Sequence, residues 1–295
     1  MCFNRRYHLV LGAHMSIAGG VHKALQRAAS ISCEVVQIFT KNQLRWAAPP
    51  LREEEIRDFR RRRGEFKYVL AHASYLINLA SPDDRVYGKS VSALEQELDR
   101  CRALDIPALV LHPGYHLGMG VDRGIERLAG GVASAYERSG EKDVLLALET
   151  TAGRGSSLGG SFEQLEAILL AVEAGGIPVG ICFDTCHVFA AGYELRTRSG
   201  YDRTWRKFDR IIGLKALIAL HLNDSKEGLA SGKDRHEHIG RGRIGLGGFR
   251  LLAQDPRLLR TPGILETPKG RDMREDVENL RILRSLTSRT SEPGW

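Results

Sequence analysis

The sequence predicts an α/β protein, a (β/α)8 TIM barrel with its functional groups at the C-terminal mouth of the strands. Three observations carry that prediction. Eight short apolar runs recur along the 295 residues, each followed by a polar or glycine-rich turn and then a helical stretch. The runs are nearly continuous in apolar character rather than alternating, as strands buried on both faces are. Each run also stops at a polar side chain. Alternation of strand and helix argues for a parallel sheet. Eight polar strand ends favour a closed barrel over a doubly wound open sheet, because in a barrel all eight C-terminal ends meet at one face.

In chain order the runs are Tyr7 to Ala13, ending at His14; Val35 to Thr40, ending at Lys41-Asn42; Tyr68 to Ala71, ending at His72; and Ala108 to Leu111, ending at His112. They continue with Val144 to Leu148, ending at Glu149; Val179 to Phe183, ending at Asp184; Leu217 to Leu222, containing His221 and ending at Asn223-Asp224; and Gly263 to Leu265, ending at Glu266. Between them, Ala93 to Leu104 sets Leu94, Leu98, Cys101 and Leu104 at helical spacing, with Glu95, Glu97, Asp99 and Arg100 on the other side. Ser161 is a capping residue for a helix carrying Phe162, Leu165, Ile168 and Leu169. The basic run Arg60 to Arg63 reads as the solvated face of an outer helix.

The expected organisation is one barrel domain over 1–288 and a polar tail over 289–295. Met1 to Arg6 is polar and basic, and the apolar segment after it is too short for a signal-peptide core. No run approaches the ~20 apolar residues of a membrane span, so a cytoplasmic protein is expected. The five cysteines match no disulfide framework, and Cys182 and Cys186 read as small fillers beside a strand end. A net charge of +7 suits a polyanionic partner.

The strand ends supply His72, His112, Glu149, Asp184, His221 and Glu266, and the loops after them add His187, Asp234 and His236. Taken singly, each has an ordinary explanation: a lone Asp-x-x-His is a capped turn, and Asp234-Arg235-His236 is an exposed polar turn. His14, His22, His116 and His238 fit hydrogen-bonding or supporting roles. Jointly, nine ionisable donors buried at one mouth would be very costly without cations to pair them. That is too many for one tetrahedral ion, and with a bridging carboxylate it suits two or three. Closely spaced divalent metals suit hydrolysis of a phosphodiester. A sugar isomerase or epimerase on the same barrel is the rival reading, and a catalytically silent DNA-binding barrel is another.

Longer strings narrow this. His72-Ala-Ser-Tyr-Leu-Ile-Asn78, His112-Pro-Gly-Tyr-His116, Cys182-Phe-Asp-Thr-Cys-His187 with Phe189-Ala-Ala-Gly-Tyr193, His221-Leu-Asn-Asp224, Asp234-Arg-His236 and Ile264-Leu-Glu-Thr267 resemble endonuclease IV, the family 2 apurinic/apyrimidinic endonucleases. Gly12-Ala-His-Met-Ser16 and Phe39-Thr-Lys-Asn-Gln43 look like the same family. The resemblance implies three zinc ions. His72, His112 and Glu149 would bind the first. Glu149 would bridge to a second, completed by Asp184, His221 and Glu266. His187, Asp234 and His236 would hold the third.

It further implies cleavage of double-stranded DNA 5′ to an abasic site, by a hydroxide held near Glu149, leaving a 3′-hydroxyl and a 5′-deoxyribose phosphate. Trimming of blocked 3′ ends and a monomeric enzyme are also implied. Tyr75 and Leu76 look like an insertion loop. The loop Lys41-Asn42-Gln43-Leu44-Arg45-Trp46 offers a second wedge, with either Leu44 or Arg45 entering the stack. Arg241 and Arg243 flank the third zinc loop and suit phosphate contacts. Thr150 stands where some members carry Asn.

Overall fold

The computed structural model describes residues 9–140 and 142–287. The expected basic terminus Met1 to Arg6, Tyr7 and His8 of the first apolar run, Cys2 and the polar tail 289–295 lie outside the described residues. Among the described residues ten strands occur in chain order: β1 (Val10–Met15), β2 (Val35–Phe39), β3 (Tyr68–His72), β4 (Ala108–Leu111), β5 (Leu145–Glu149), β6 (Val179–Asp184), β7 (Leu217–His221), β8 (Asp224–Ser225), β9 (His236–Glu237) and β10 (Pro262–Leu265). Eight of them close into a barrel in the order β1-β10-β7-β6-β5-β4-β3-β2, every neighbouring pair parallel. The other two, β8 and β9, form a short antiparallel ladder inside the long loop after β7.

Each apolar run of the sequence is a barrel strand, with ends shifted by a residue or two except at the first. There the strand continues through His14 to Met15, because His14 and Met15 stay in register with Gln37 and Ile38 of β2. His14 is therefore an inward-facing residue within a strand and not a strand terminator. Gly12 permits this pairing: a Cβ there would sit 1.7 Å from the Val35 carbonyl oxygen.

The helices are α1 (Val21–Ser30), α2 (Glu53–Arg63), α3 (Asp84–Leu104), α4 (Val121–Ser139), α5 (Phe162–Glu173), α6 (Thr185–Ala190), α7 (Arg198–Ile211), α8 (Gly245–Ala253) and α9 (Arg274–Leu286). Ser161 caps α5 by accepting from the Gln164 amide. Arg60 to Arg63 form the last turn of α2, exposed or half-buried. The predicted segment Ala93 to Leu104 is the second half of α3, and Leu94, Leu98, Cys101 and Leu104 are all buried. On its charged side Glu95, Asp99 and Arg100 are half-buried, whereas Glu97 is 1% exposed. Thr40, Lys41 and the Ser74 amide reach it from two loops and satisfy its carboxylate, which helical periodicity on α3 alone could not reveal.

Apolar packing forms two layers. The larger lies between strands and helices. The smaller is drawn from all eight barrel strands: Val10, Val35, Leu70, Ala108, Val110, Ala147, Cys182, Ala219 and Ile264. These side chains fill the barrel interior, as expected of a packed core rather than a pore.

Candidate metal centre

The interior layer places the site. Side chains two apart in a strand share a face. Two residues beyond Leu70, Ala147, Cys182 and Ala219 stand His72, Glu149, Asp184 and His221, at the C-terminal ends of β3, β5, β6 and β7. The same step from Val110 and Ile264 reaches His112 and Glu266, just past β4 and β10. Strand pleat and barrel closure alone bring six donors to one mouth. His187 follows on α6, a short helix rather than the expected loop, and Asp184 caps it by accepting from the His187 amide at 2.9 Å. Asp234 arrives from the segment leading into β9, and His236 opens that strand.

The nine donors fall into three groups, each with ligand atoms within 4.8 Å of one another: His72, His112 and Glu149; Glu149, Asp184, His221 and Glu266; His187, Asp234 and His236. Glu149 is shared. Its Oε2 lies 3.1 Å from His72 Nε2 and 3.2 Å from His112 Nε2, and its Oε1 lies 2.9 Å from His221 Nδ1. Glu266 Oε2 is 3.1 Å from the same His221 Nδ1. Asp234 reaches His187 Nε2 at 3.1 Å and His236 Nε2 at 3.2 Å.

Two features fit this set to divalent cations. The imidazoles are oriented from behind: His72, His187 and His236 each donate Nδ1–H to a main-chain carbonyl, of Ala73, Thr150 and Glu266, leaving Nε2 as a lone-pair donor. His221 is turned the other way, its Nε2–H donating to Gln37 Oε1 at 2.9 Å while Nδ1 faces the carboxylates. Secondly, His187 Nε2 and His236 Nε2 are shielded from solvent and lack a hydrogen-bond partner, though both point at Asp234. Buried nitrogens without a proton partner, converging on one carboxylate, fit a cation between them. Cys186 also lies near Asp184 and His236. Burial pushes its thiol and that of Cys182 up to about 12, so neither offers a thiolate in the metal-free protein.

The charges support one another. Burial pushes the Glu149 carboxyl upward, but His112, His221 and His187 hold it well below the ordinary carboxylate range. Glu266 follows suit, burial being outweighed by His221 and His14. Burial opposes protonation of all three, yet Asp184 and Asp234 raise His236 to about 9, carboxylates lift His187 well above an ordinary imidazole, and Cys182 with Glu266 and Glu149 lifts His221. His14, dominated by burial, falls to about 4 and is neutral at pH 7.

Sequence reasoning gave His14 a hydrogen-bonding or supporting role and passed over the other residues that hold these donors. Gln37 Nε2 donates to Glu266 Oε1 at 2.7 Å, and His14 Nδ1 lies 3.1 Å from the same oxygen. Asn223 donates to Asp184 Oδ2 at 2.6 Å and accepts from the Glu266 amide at 2.9 Å. Thr150 Oγ1 accepts from the Asp184 amide at 2.9 Å. A signal existed for Gln37: it is the lone polar residue inside the apolar run Val35 to Phe39.

Around the mouth, Leu44 is 69% and Tyr75 55% exposed. Asn42 folds the Leu44 loop by accepting from the Leu44 amide, and both Leu44 and Arg45 project into solvent. Tyr75 packs edge-on against Phe39 and His72, so it stands at the rim of the donor cluster, with half-buried Leu76 beside it. Gln43 is half-buried, and its carbonyl accepts from Ser74 Oγ at 2.7 Å. Arg241 and Arg243 are exposed on the segment after β9.

A family model described as "Xylose isomerase-like TIM barrel" matches residues 25–285. The chain is 47% identical over 277 residues to the protein named "Probable endonuclease 4" from Chloroflexus aurantiacus, covering 93% of this chain and 97% of that one. It is 48% identical over 281 residues to the protein of the same name from Geobacter sulfurreducens, covering 95% of each. Among solved structures, endonuclease IV from Thermus thermophilus superposes with a TM-score of 0.83 at 35% identity, covering 94% of this chain and 98% of that one.

Proposed function

The chain belongs to the endonuclease IV family of xylose isomerase-like TIM barrels, and from that membership we propose how this DNA-repair endonuclease works. The substrate is double-stranded DNA with an abasic site. Water adds to phosphorus of the phosphodiester on its 5′ side, the bond to the departing 3′-oxygen breaks, and that oxygen takes up a proton. Products are a 3′-hydroxyl and a 5′-deoxyribose phosphate, and blocked 3′ ends are trimmed by the same hydrolysis. The observation that carries this reading is the convergence of nine oxygen and nitrogen donors into three neighbouring groups, two of which share Glu149.

His72, His112 and Glu149 would hold one zinc; Glu149, Asp184, His221 and Glu266 a second; and His187, Asp234 and His236 a third. Bound zinc neutralises phosphate charge and makes water acidic enough to attack at neutral pH. The chain supplies the rest. Glu149, ionised and fully buried, sits at the junction of the groups and fixes the direction of attack. Gln37, Asn223 and Thr150 keep the donors from turning. No protein nucleophile is needed, since the nearby cysteines remain thiols. Tyr75 with Leu76, and Leu44 or Arg45 with Asn42 and Gln43, enter the gap left by the missing base. Arg241 and Arg243 bind phosphates. The enzyme acts as a monomer in the cytoplasm, as one barrel domain over 1–288.

Metal analysis and a single-turnover assay on an abasic duplex test this together. The expected result is three zincs per chain and cleavage that Glu149→Gln slows by about 100-fold or more. An uncut duplex with the metal-loaded chain, alongside turnover of a ketose sugar, would make the barrel an isomerase instead.

A further inference from the structure

Glu97 lies far along α3, outside the metal centre, yet it is 1% exposed and fully engaged. It accepts from Thr40 Oγ1 and lies 3.6 Å from Lys41 Nζ, both at the start of the loop after β2. It also accepts from the Ser74 amide at 3.3 Å, in the loop after β3. Lys41 is itself buried and donates onward to the Trp46 carbonyl at 2.8 Å, closing the first loop. Ser74 Oγ donates to the Gln43 carbonyl at 2.7 Å, tying the second loop to the first. One helical turn on, Arg100 grips the Thr40 carbonyl through Nε and Nη2, at 3.0 and 2.7 Å, and the Pro49 carbonyl at 2.9 Å.

The two loops held this way carry the exposed apolar tips of the rim, Leu44 and Tyr75. Burying a carboxylate and an ammonium here is expensive unless each is fully paired. A partner removed from such a network leaves the other charge stranded.

We propose that Glu97 is a positioning residue for DNA: it locks the Leu44 loop and the Tyr75 loop at a fixed separation, so that both tips meet the duplex together without ordering on contact. This rests on the reading of the protein as an abasic-site endonuclease. Loops fixed in advance spare the entropy of ordering on binding. Loss of Glu97 therefore weakens recognition and leaves the hydrolytic centre as it is.

The test uses the zinc-loaded full chain and a duplex carrying a tetrahydrofuran abasic analogue with 2-aminopurine beside it. Glu97→Gln removes the charge, and Thr40→Val removes one bond while leaving both charges in place. Expected for Glu97→Gln is a KM raised about tenfold or more with kcat within about threefold of wild type. Its metal content should be unaltered and the rise in 2-aminopurine fluorescence on binding diminished. Thr40→Val should shift KM in the same direction by less, and it carries the test if Glu97→Gln does not fold. A KM within about twofold of wild type in the folded variants, with the fluorescence rise intact, overturns the inference. Failure of the wild-type chain to cut this duplex would instead overturn the endonuclease reading.

Discussion

At the scale of the residue, Asp184 and His187 are three positions apart but serve different neighbours. Asp184 belongs with Glu149, His221 and Glu266, and its Oδ2 also lies 3.6 Å from His236 Nε2; His187 faces Asp234. His187→Ala should therefore empty one site, giving about two metals per chain in place of the three expected from the donor count. Asp184→Asn should disturb the shared groups and lower occupancy further; both are read by elemental analysis after gel filtration. Protons add a second expectation. His236, raised to about 9, holds a proton at pH 7 in the metal-free protein, and the carboxylates around His187 favour its protonated form too, whereas only a neutral imidazole binds metal. Metal binding should release protons, and affinity should fall as pH drops from about 9 towards neutrality. Zinc titration calorimetry in two buffers of different ionisation enthalpy measures the release directly; identical heats would contradict it.

At the scale of the element, the loop between β9 and α8 is built around one buried carboxylate. Asp224 accepts from the amides of Ser225, Gly240, Gly242, Ile244 and Gly245 at 2.8 to 3.3 Å. A Cβ on Gly242 would lie 2.4 Å from the Ser225 carbonyl oxygen and 2.5 Å from Asp224 Oδ1, so the loop must bring bare backbone to the acid. The side chains thrown outward are Arg241 and Arg243. Asp224→Asn places an NH2 group against this ring of donors. It should cost about 1–3 kcal/mol of stability, speed hydrogen exchange at 240–245 and weaken DNA binding, with exchange mass spectrometry as the readout.

Such devices mark the limit of what the sequence discloses. Strands and donors were legible because the barrel writes them locally, as an apolar run with a polar last residue. The three groups were legible through the resemblance, and the pleat supplies the physical reason for their meeting. Glu97 and Asp224 were not legible, since their partners are main-chain amides or loop residues far along the chain. His14 misled because an inward-facing histidine within a strand looks like the strand's end.

At the scale of the whole molecule, the apolar layer from Val10 round to Ile264 closes the barrel beneath the donors. Its consequence is one of traffic. Among the described residues this layer fills the barrel interior beneath the donors, so ions, water, substrate and product are expected to share the doorway at the rim. A duplex lying across the rim would then act as a stopper. Chelator should strip metal from the free protein faster than from its complex with an uncleavable abasic duplex, and stopped-flow mixing with a chromogenic chelator compares the two rates. Equal rates would mean that a back entrance exists. The same floor makes the barrel one-sided for an engineer, since changes at the far end of the strands can tune stability while the chemistry at the doorway goes on undisturbed.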